Sequence, residues 1–121
     1  MSRLKNLFKR DRNKLVVFIT AGFPKKESTE ELVLQAIEGG ADMIEIGIPF
    51  SDPQADGPII QKASEIALSN GITLSIIFDQ VRSIRKKTDI PIALMGYYNP
   101  ILAYGIDNFL NDCKTSQVDG I

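Results

Sequence analysis

The 121-residue sequence contains no histidine and a single cysteine, Cys113. Without histidine, every His-based catalytic triad and every His-containing zinc site is excluded. One cysteine excludes an intrachain disulfide and fits a reducing, cytoplasmic location. Cys113 falls in a helical apolar pattern with Phe109 and Leu110 and reads as a buried structural thiol. No run approaches the roughly 20 apolar residues of a membrane span. The longest early run, Leu15 to Ile19, is too short for the apolar part of a signal peptide, about 7–15 residues. An excess of one charge is also missing. Fourteen basic residues against fifteen acidic leave a net charge of −1, which gives no electrostatic case for nucleic acid or membrane binding. The basic residues are uneven, with Arg3, Lys5, Lys9, Arg10, Arg12 and Lys14 crowded at the start, as in a solvated N-terminal helix or tail.

What is present is an ordinary globular composition, 44% apolar and 24% charged, in a chain long enough for one domain at most. Strand, loop and helix patterns alternate. Leu15–Ile19 is a continuous apolar run, as expected of a strand covered on both faces. Ser28-Thr29-Glu30-Glu31 reads as a capping box, opening a helix that carries Leu32, Leu34, Ala36 and Ile37 and stops at Gly39-Gly40. A second strand is expected over 42–47. Pro58 suits the first position of a second helix, whose face holds Ile59, Ile60, Ala63, Ile66 and Ala67 and which ends at Asn70-Gly71. Thr73 can cap a third helix with Leu74, Ile77, Phe78, Val81 and Ile84 as its stripe. Arg85, Lys86 and Lys87 in its last turn suit the negative end of the helix dipole. A third strand over 90–97, a loop through Asn99-Pro100, a helix over 106–114 and the opening of a fourth strand at 118–121 complete the pattern. Such strand–helix units imply a parallel sheet, either an open doubly wound sheet or a closed (β/α)8 barrel. Gly22-Phe23-Pro24 after the first strand lacks the glycine-rich phosphate fingerprint.

The densest chemistry lies between Met43 and Pro58. Glu45 sits alone in an apolar strand, and Asp56 follows in the next loop, just before a helix start. A lone carboxylate in an apolar run is costly unless it is paired or used. Two carboxylates at a strand end and the loop beyond it make a plausible acid/base pair. The bland alternative is a structural ion pair for Glu45 and a turn role for Asp56 before Gly57-Pro58. Phe18, Thr20 and Tyr97 stand at strand ends on the same rim, which suits a flat, apolar substrate with a proton to move.

The wording of this stretch, Glu45-Ile46-Gly47-Ile48-Pro49-Phe50-Ser51-Asp52-Pro53-Gln54-Ala55-Asp56-Gly57-Pro58, resembles the α subunit family of tryptophan synthase. Phe18 to Gly22, Pro91 to Asn99 and Gly105-Ile106-Asp107 agree in the same order. The resemblance implies a TIM barrel. Barrels need about 250 residues, so an N-terminal half is expected here: about three βα units and the start of strand four, in one partial domain.

The family reaction is the retro-aldol cleavage of indole-3-glycerol phosphate to indole and glyceraldehyde 3-phosphate, a step of tryptophan biosynthesis. By resemblance, Glu45 is the acid/base and Asp56 accepts a hydrogen bond from the indole N–H. An apolar setting is expected to raise the Glu45 pKa. Phe18, Ile60 and Met95 match positions lining the indole pocket, with Tyr97 beside them. Asp52, Pro53, Asn99 and Pro100 match loops that meet the β subunit, in an assembly of two α and two β chains. Phe23 stands where many members carry a polar or acidic residue, often Asp, and others an aromatic. No metal or organic cofactor is expected, pyridoxal phosphate belonging to the β subunit alone. The phosphate loops of such barrels come later in the chain, so residues 1–121 alone are expected to be inactive. Two other readings stand beside this one: a non-catalytic half-barrel that binds and activates a partner, and another phosphate-binding barrel isomerase or synthase.

Overall fold

The computed structural model describes residues 2–9 and 11–121. Arg10, one of the N-terminal basic cluster, lies outside the described residues. The chain runs α1 (Arg3–Leu7), β1 (Val16–Thr20), α2 (Ser28–Glu38), β2 (Met43–Gly47), α3 (Pro58–Ser69), α4 (Leu74–Arg85), β3 (Ile92–Met95), α5 (Tyr98–Tyr104) and α6 (Ile106–Thr115). The strands form one parallel sheet in the order β1-β2-β3. A further parallel rung, Ala93 with Gly120, continues it where a fourth strand was expected. There the Asp119 N–H donates to the Ile92 carbonyl at 2.8 Å and the Leu94 N–H to Gly120 at 2.9 Å.

Register divides the sheet into two faces, because successive side chains of a strand point to opposite sides. Val17, Ile44 and Ile92 are level across the strands, as are Ile19, Ile46 and Leu94. Ile44, Ile46, Ile92 and Leu94 are fully buried. They share one core with Val33 of α2, Ile77, Phe78, Val81 and Ile84 of α4, and Phe109 and Cys113 of α6. Each such side chain removed from water contributes about 1.5–3 kcal/mol. The other face carries a second set of rows, Phe18, Glu45 and Ala93, then Thr20, Gly47 and Met95.

Several boundaries follow the sequence. Pro58 opens α3, and Thr73 caps α4 by accepting a hydrogen bond from the Ile76 N–H at 3.3 Å. Positive φ at Gly40 (98°) and Gly71 (84°) ends the helices before them.

Others need correction. The capping box at Ser28 does not form: Ser28 already lies within α2, and its hydroxyl accepts from the Lys25 N–H of the preceding turn. Glu31 pairs forward, accepting from Gln35. The buried side of α2 is Thr29 and Val33, with Leu32, Ala36 and Ile37 only partly covered. Ile59, assigned by spacing to the buried face of α3, is 84% exposed. It lies in the first turn, at the edge of an open cleft beside β1 and α2.

The third strand is shorter than its apolar run, because Pro91 precedes it and Gly96 follows it. Tyr97 therefore does not end a strand but serves as the N-cap residue of α5. Asn99 and Pro100 lie not in a loop but in the first turn of that helix. A proline is tolerated there because the first N–H groups of a helix have no intrahelical acceptor. The basic end of α4 is held by more than the helix dipole. Lys87 pairs with Glu30, and Arg85 is buried against Asp119 at 2.5 Å.

Candidate active site

The inner-facing rows of the sheet and the loop after β2 gather the candidate residues. Glu45 is level with Phe18 of β1 and Ala93 of β3. It is half-buried, and its carboxylate meets no hydrogen-bond donor or cation among the described residues.

One row further along, the tip of the Phe18 ring reaches over Gly47. A β-carbon there would stand 2.4 Å from Phe18 Cζ, so only glycine lets the ring occupy this position. Phe18 and Ile60 line an open cleft of about 520 Å³ together with Phe23, Leu32, Ile59 and Ala63. Its walls are apolar, and its size is within the roughly 300–1,000 Å³ usual for small-molecule sites. Met95, level with Gly47, is partly exposed on the same face of the sheet as Glu45.

Asp56 lies in the loop between β2 and α3, partly exposed, its carboxylate free of partners among the described residues. The loop backbone is fastened around it. The Asp56 N–H donates to the Pro53 carbonyl at 3.4 Å, and the Asp56 carbonyl accepts from Gln61 Nε2 at 2.7 Å. The Ala55 N–H donates to the Tyr97 hydroxyl at 2.9 Å, and the Tyr97 ring packs on Phe50, centroids 5.5 Å apart. Asp52 and Pro53 occupy the outer part of this loop, Asp52 exposed. Asn99 and Pro100 are on the first turn of α5.

Sequence reasoning missed two anchors of the same end of the sheet. The hydroxyl of fully buried Thr29 accepts from the Gly22 N–H at 3.0 Å. Asn70 Nδ2 donates to the carbonyls of Gly22 and Pro24. Both side chains tie down the loop after β1. A polar residue on an apolar helix face was the available signal for Thr29; Asn70 was read only as a helix stop.

A larger apolar cleft of about 700 Å³ lies between Ile48–Ser51, α4 and α5. No carboxylate lines it. No group of three or more potential metal ligands is found among the described residues. Among the same residues, no helix is long and apolar enough to cross a membrane.

Comparison with known proteins decides the family. The model of the tryptophan synthase alpha chain matches residues 4–121. The chain belongs to this family. The alpha chain of Christiangramia forsetii is 46% identical over 121 residues, all of this chain and 47% of that one. A crystal structure of the alpha subunit from Legionella pneumophila superposes with a TM-score of 0.93 at 42% identity, covering 99% of this chain and 48% of that one. The tryptophan synthase complex of Pyrococcus furiosus contains a chain 48% identical, TM-score 0.83, matched over 89% of this chain and 44% of its own length. The chain thus spans about half the length of the curated relatives it matches. Its βα units are the N-terminal half of the family's (β/α)8 barrel, and the doubly wound alternative is excluded. Barrel chemistry takes place at the strand C-termini and in the loops after them, which is where Asp56 and Tyr97 lie.

Proposed function

We propose that these residues form the N-terminal half of the catalytic rim of a tryptophan synthase alpha chain, a carbon–carbon lyase. The reaction is cleavage of indole-3-glycerol phosphate to indole and glyceraldehyde 3-phosphate. The observation that carries the reading is the partner-free Glu45 carboxyl, in register with Phe18 and facing away from the core. Glu45 donates a proton to C3 of the indole ring, which places positive charge on the ring nitrogen. The bond from C3 to the side chain then breaks and its electron pair returns to the ring. The side-chain hydroxyl gives up its proton as it becomes the aldehyde carbonyl, and Glu45 is the group that takes a proton back. Asp56 accepts a hydrogen bond from the indole N–H and stabilises the charge that develops there. Phe18, Ile60 and Met95 hold the flat ring, with Tyr97 beside them.

No cofactor takes part in this cleavage. Pyridoxal phosphate is assigned to the β subunit, which meets Asp52, Pro53, Asn99 and Pro100 in an assembly of two α and two β chains. The Pyrococcus furiosus complex, of which a similar chain is part, supports such a partner. The deciding experiment is Glu45→Gln in the full gene product. Indole formation should vanish while the circular dichroism spectrum stays unchanged; near-normal turnover would remove Glu45 from the mechanism.

A further inference from the structure

Tyr97 has a second task that its position among apolar pocket residues conceals. It is the N-cap residue of α5, but its side chain makes no capping bond to that helix. It crosses instead to the loop after β2. There its ring packs on Phe50 and its hydroxyl accepts the Ala55 N–H at 2.9 Å. Asp56 is the next residue. Among the described residues, the bonds that hold Asp56 come from within its own loop and helix, through Pro53 and Gln61. The Ala55–Tyr97 bond is the one that ties this stretch of backbone to the start of α5, two residues beyond the end of β3 in the sheet that carries Glu45.

We propose that Tyr97 is a positioning residue: its phenol oxygen fixes the Gln54-Ala55 peptide, next to Asp56, relative to the sheet and so sets the distance between the two carboxylates. The inference rests on the proposed roles of Glu45 and Asp56. A hydroxyl used as an acceptor by a backbone N–H is already oriented, with its own proton directed elsewhere. Losing this acceptor releases the peptide without leaving a buried charge behind. The loop is partly open to water, which replaces the lost acceptor, so the cost is modest. It falls on geometry. A small misplacement of a charge-stabilising carboxylate lowers the rate of the chemical step far more than it lowers the affinity for substrate.

The test is Tyr97→Phe in the full gene product, read in two ways. Amide hydrogen exchange by NMR should show Ala55 exchanging roughly three- to tenfold faster, the effect of one hydrogen bond. Steady-state kinetics should show kcat reduced by a similar, roughly three- to tenfold factor with KM nearly unchanged. Tyr104→Phe is the control, because that hydroxyl donates to Asp112 at 2.5 Å between α5 and α6, away from the carboxylates. It should lower the melting temperature and leave kcat unchanged. Unaltered Ala55 exchange in Tyr97→Phe overturns the proposal. So does a raised KM with unchanged kcat, which would make Tyr97 a substrate contact only. If the wild-type protein forms no indole, the proposed function fails, and the exchange measurement still decides whether Tyr97 holds the loop.

Discussion

Asp52 and Asp56 share one loop but stand in different surroundings, Asp52 exposed and Asp56 partly covered beside the Tyr97 anchor. Asp56→Asn should cut turnover strongly with or without the β subunit, since a neutral amide stabilises a cationic ring nitrogen far less. Asp52→Ala should leave intrinsic cleavage nearly intact and weaken its activation by the β subunit. Identical behaviour of the two variants in both assays would rule out this division of labour. Cys113 offers a different kind of test. Burial, reinforced by the negative charge of Asp112, pushes its thiol up to about 11. The reactive thiolate is therefore nearly absent at neutral pH. Iodoacetamide should modify Cys113 only in urea-unfolded protein, and rapid labelling of the native chain would show that the thiol is open to solvent. The burial of Cys113 was legible in the sequence because it completes a periodic pattern, and the place of Glu45 on β2 because it breaks one. The hydrogen bond from Ala55 to Tyr97 was not. It joins residues 42 positions apart, and no local spacing encodes it.

Helices whose ends carry a strong local signal were read correctly, and those with an ambiguous one were not. Thr73 is extended (φ −135°, ψ 162°) and caps α4; Thr73→Ala should cost about 1 kcal/mol in a urea titration. At α2 the same type of signal was misplaced, because the turn 25–28 closes on itself through Ser28 before the helix begins. α5 was missed altogether, since Asn99-Pro100 reads as a loop unless the proline is known to fall in a first turn. The junction of α4, β3 and residues 117–119 depends on an ion pair that no periodicity announces. Arg85 and Asp119 are 5% and 6% exposed. Arg85 also donates to the carbonyls of Ile90 and Gln117, and Asp119 accepts from the Ile92 N–H at 2.9 Å. Burial pulls the Arg85 pKa down while Asp119 opposes it, and a guanidinium remains charged regardless. Asp119→Ala leaves that charge buried and unpaired, so a loss of about 3–5 kcal/mol is expected from denaturant unfolding of the full gene product.

For the molecule as a whole, the sheet is open at both sides. Leu15, Val16 and Ile59 near β1 and Ile121 beyond the Gly120 rung are all exposed. Such edges and apolar surfaces promote association. Residues 1–121 expressed on their own should self-associate and release no indole, even with Glu45 and Asp56 in place; a compact, active monomer in a sizing experiment would contradict this. Acid should weaken the fold through particular carboxylates. The Arg12 guanidinium, then the Leu15 N–H, hold Asp42 below its ordinary pKa, and Lys87, then Ser83, do the same for Glu30. A lowered carboxylate pKa stabilises the fold above the ordinary carboxylate range, and that stability is lost as pH falls through the lowered value. Asp42→Asn should therefore flatten the fall in the urea midpoint between about pH 5 and pH 2. These ion pairs, Arg12 with Asp42 and Arg3 and Arg85 with Asp119, all sit where strands begin. Asp56 and Tyr97 sit where strands have ended. On the roles proposed for Asp56 and Tyr97, heat tolerance and substrate choice should be separable by breeding: a library restricted to the first end should raise the working temperature without touching selectivity, and one restricted to the second should change the substrate on an unaltered frame.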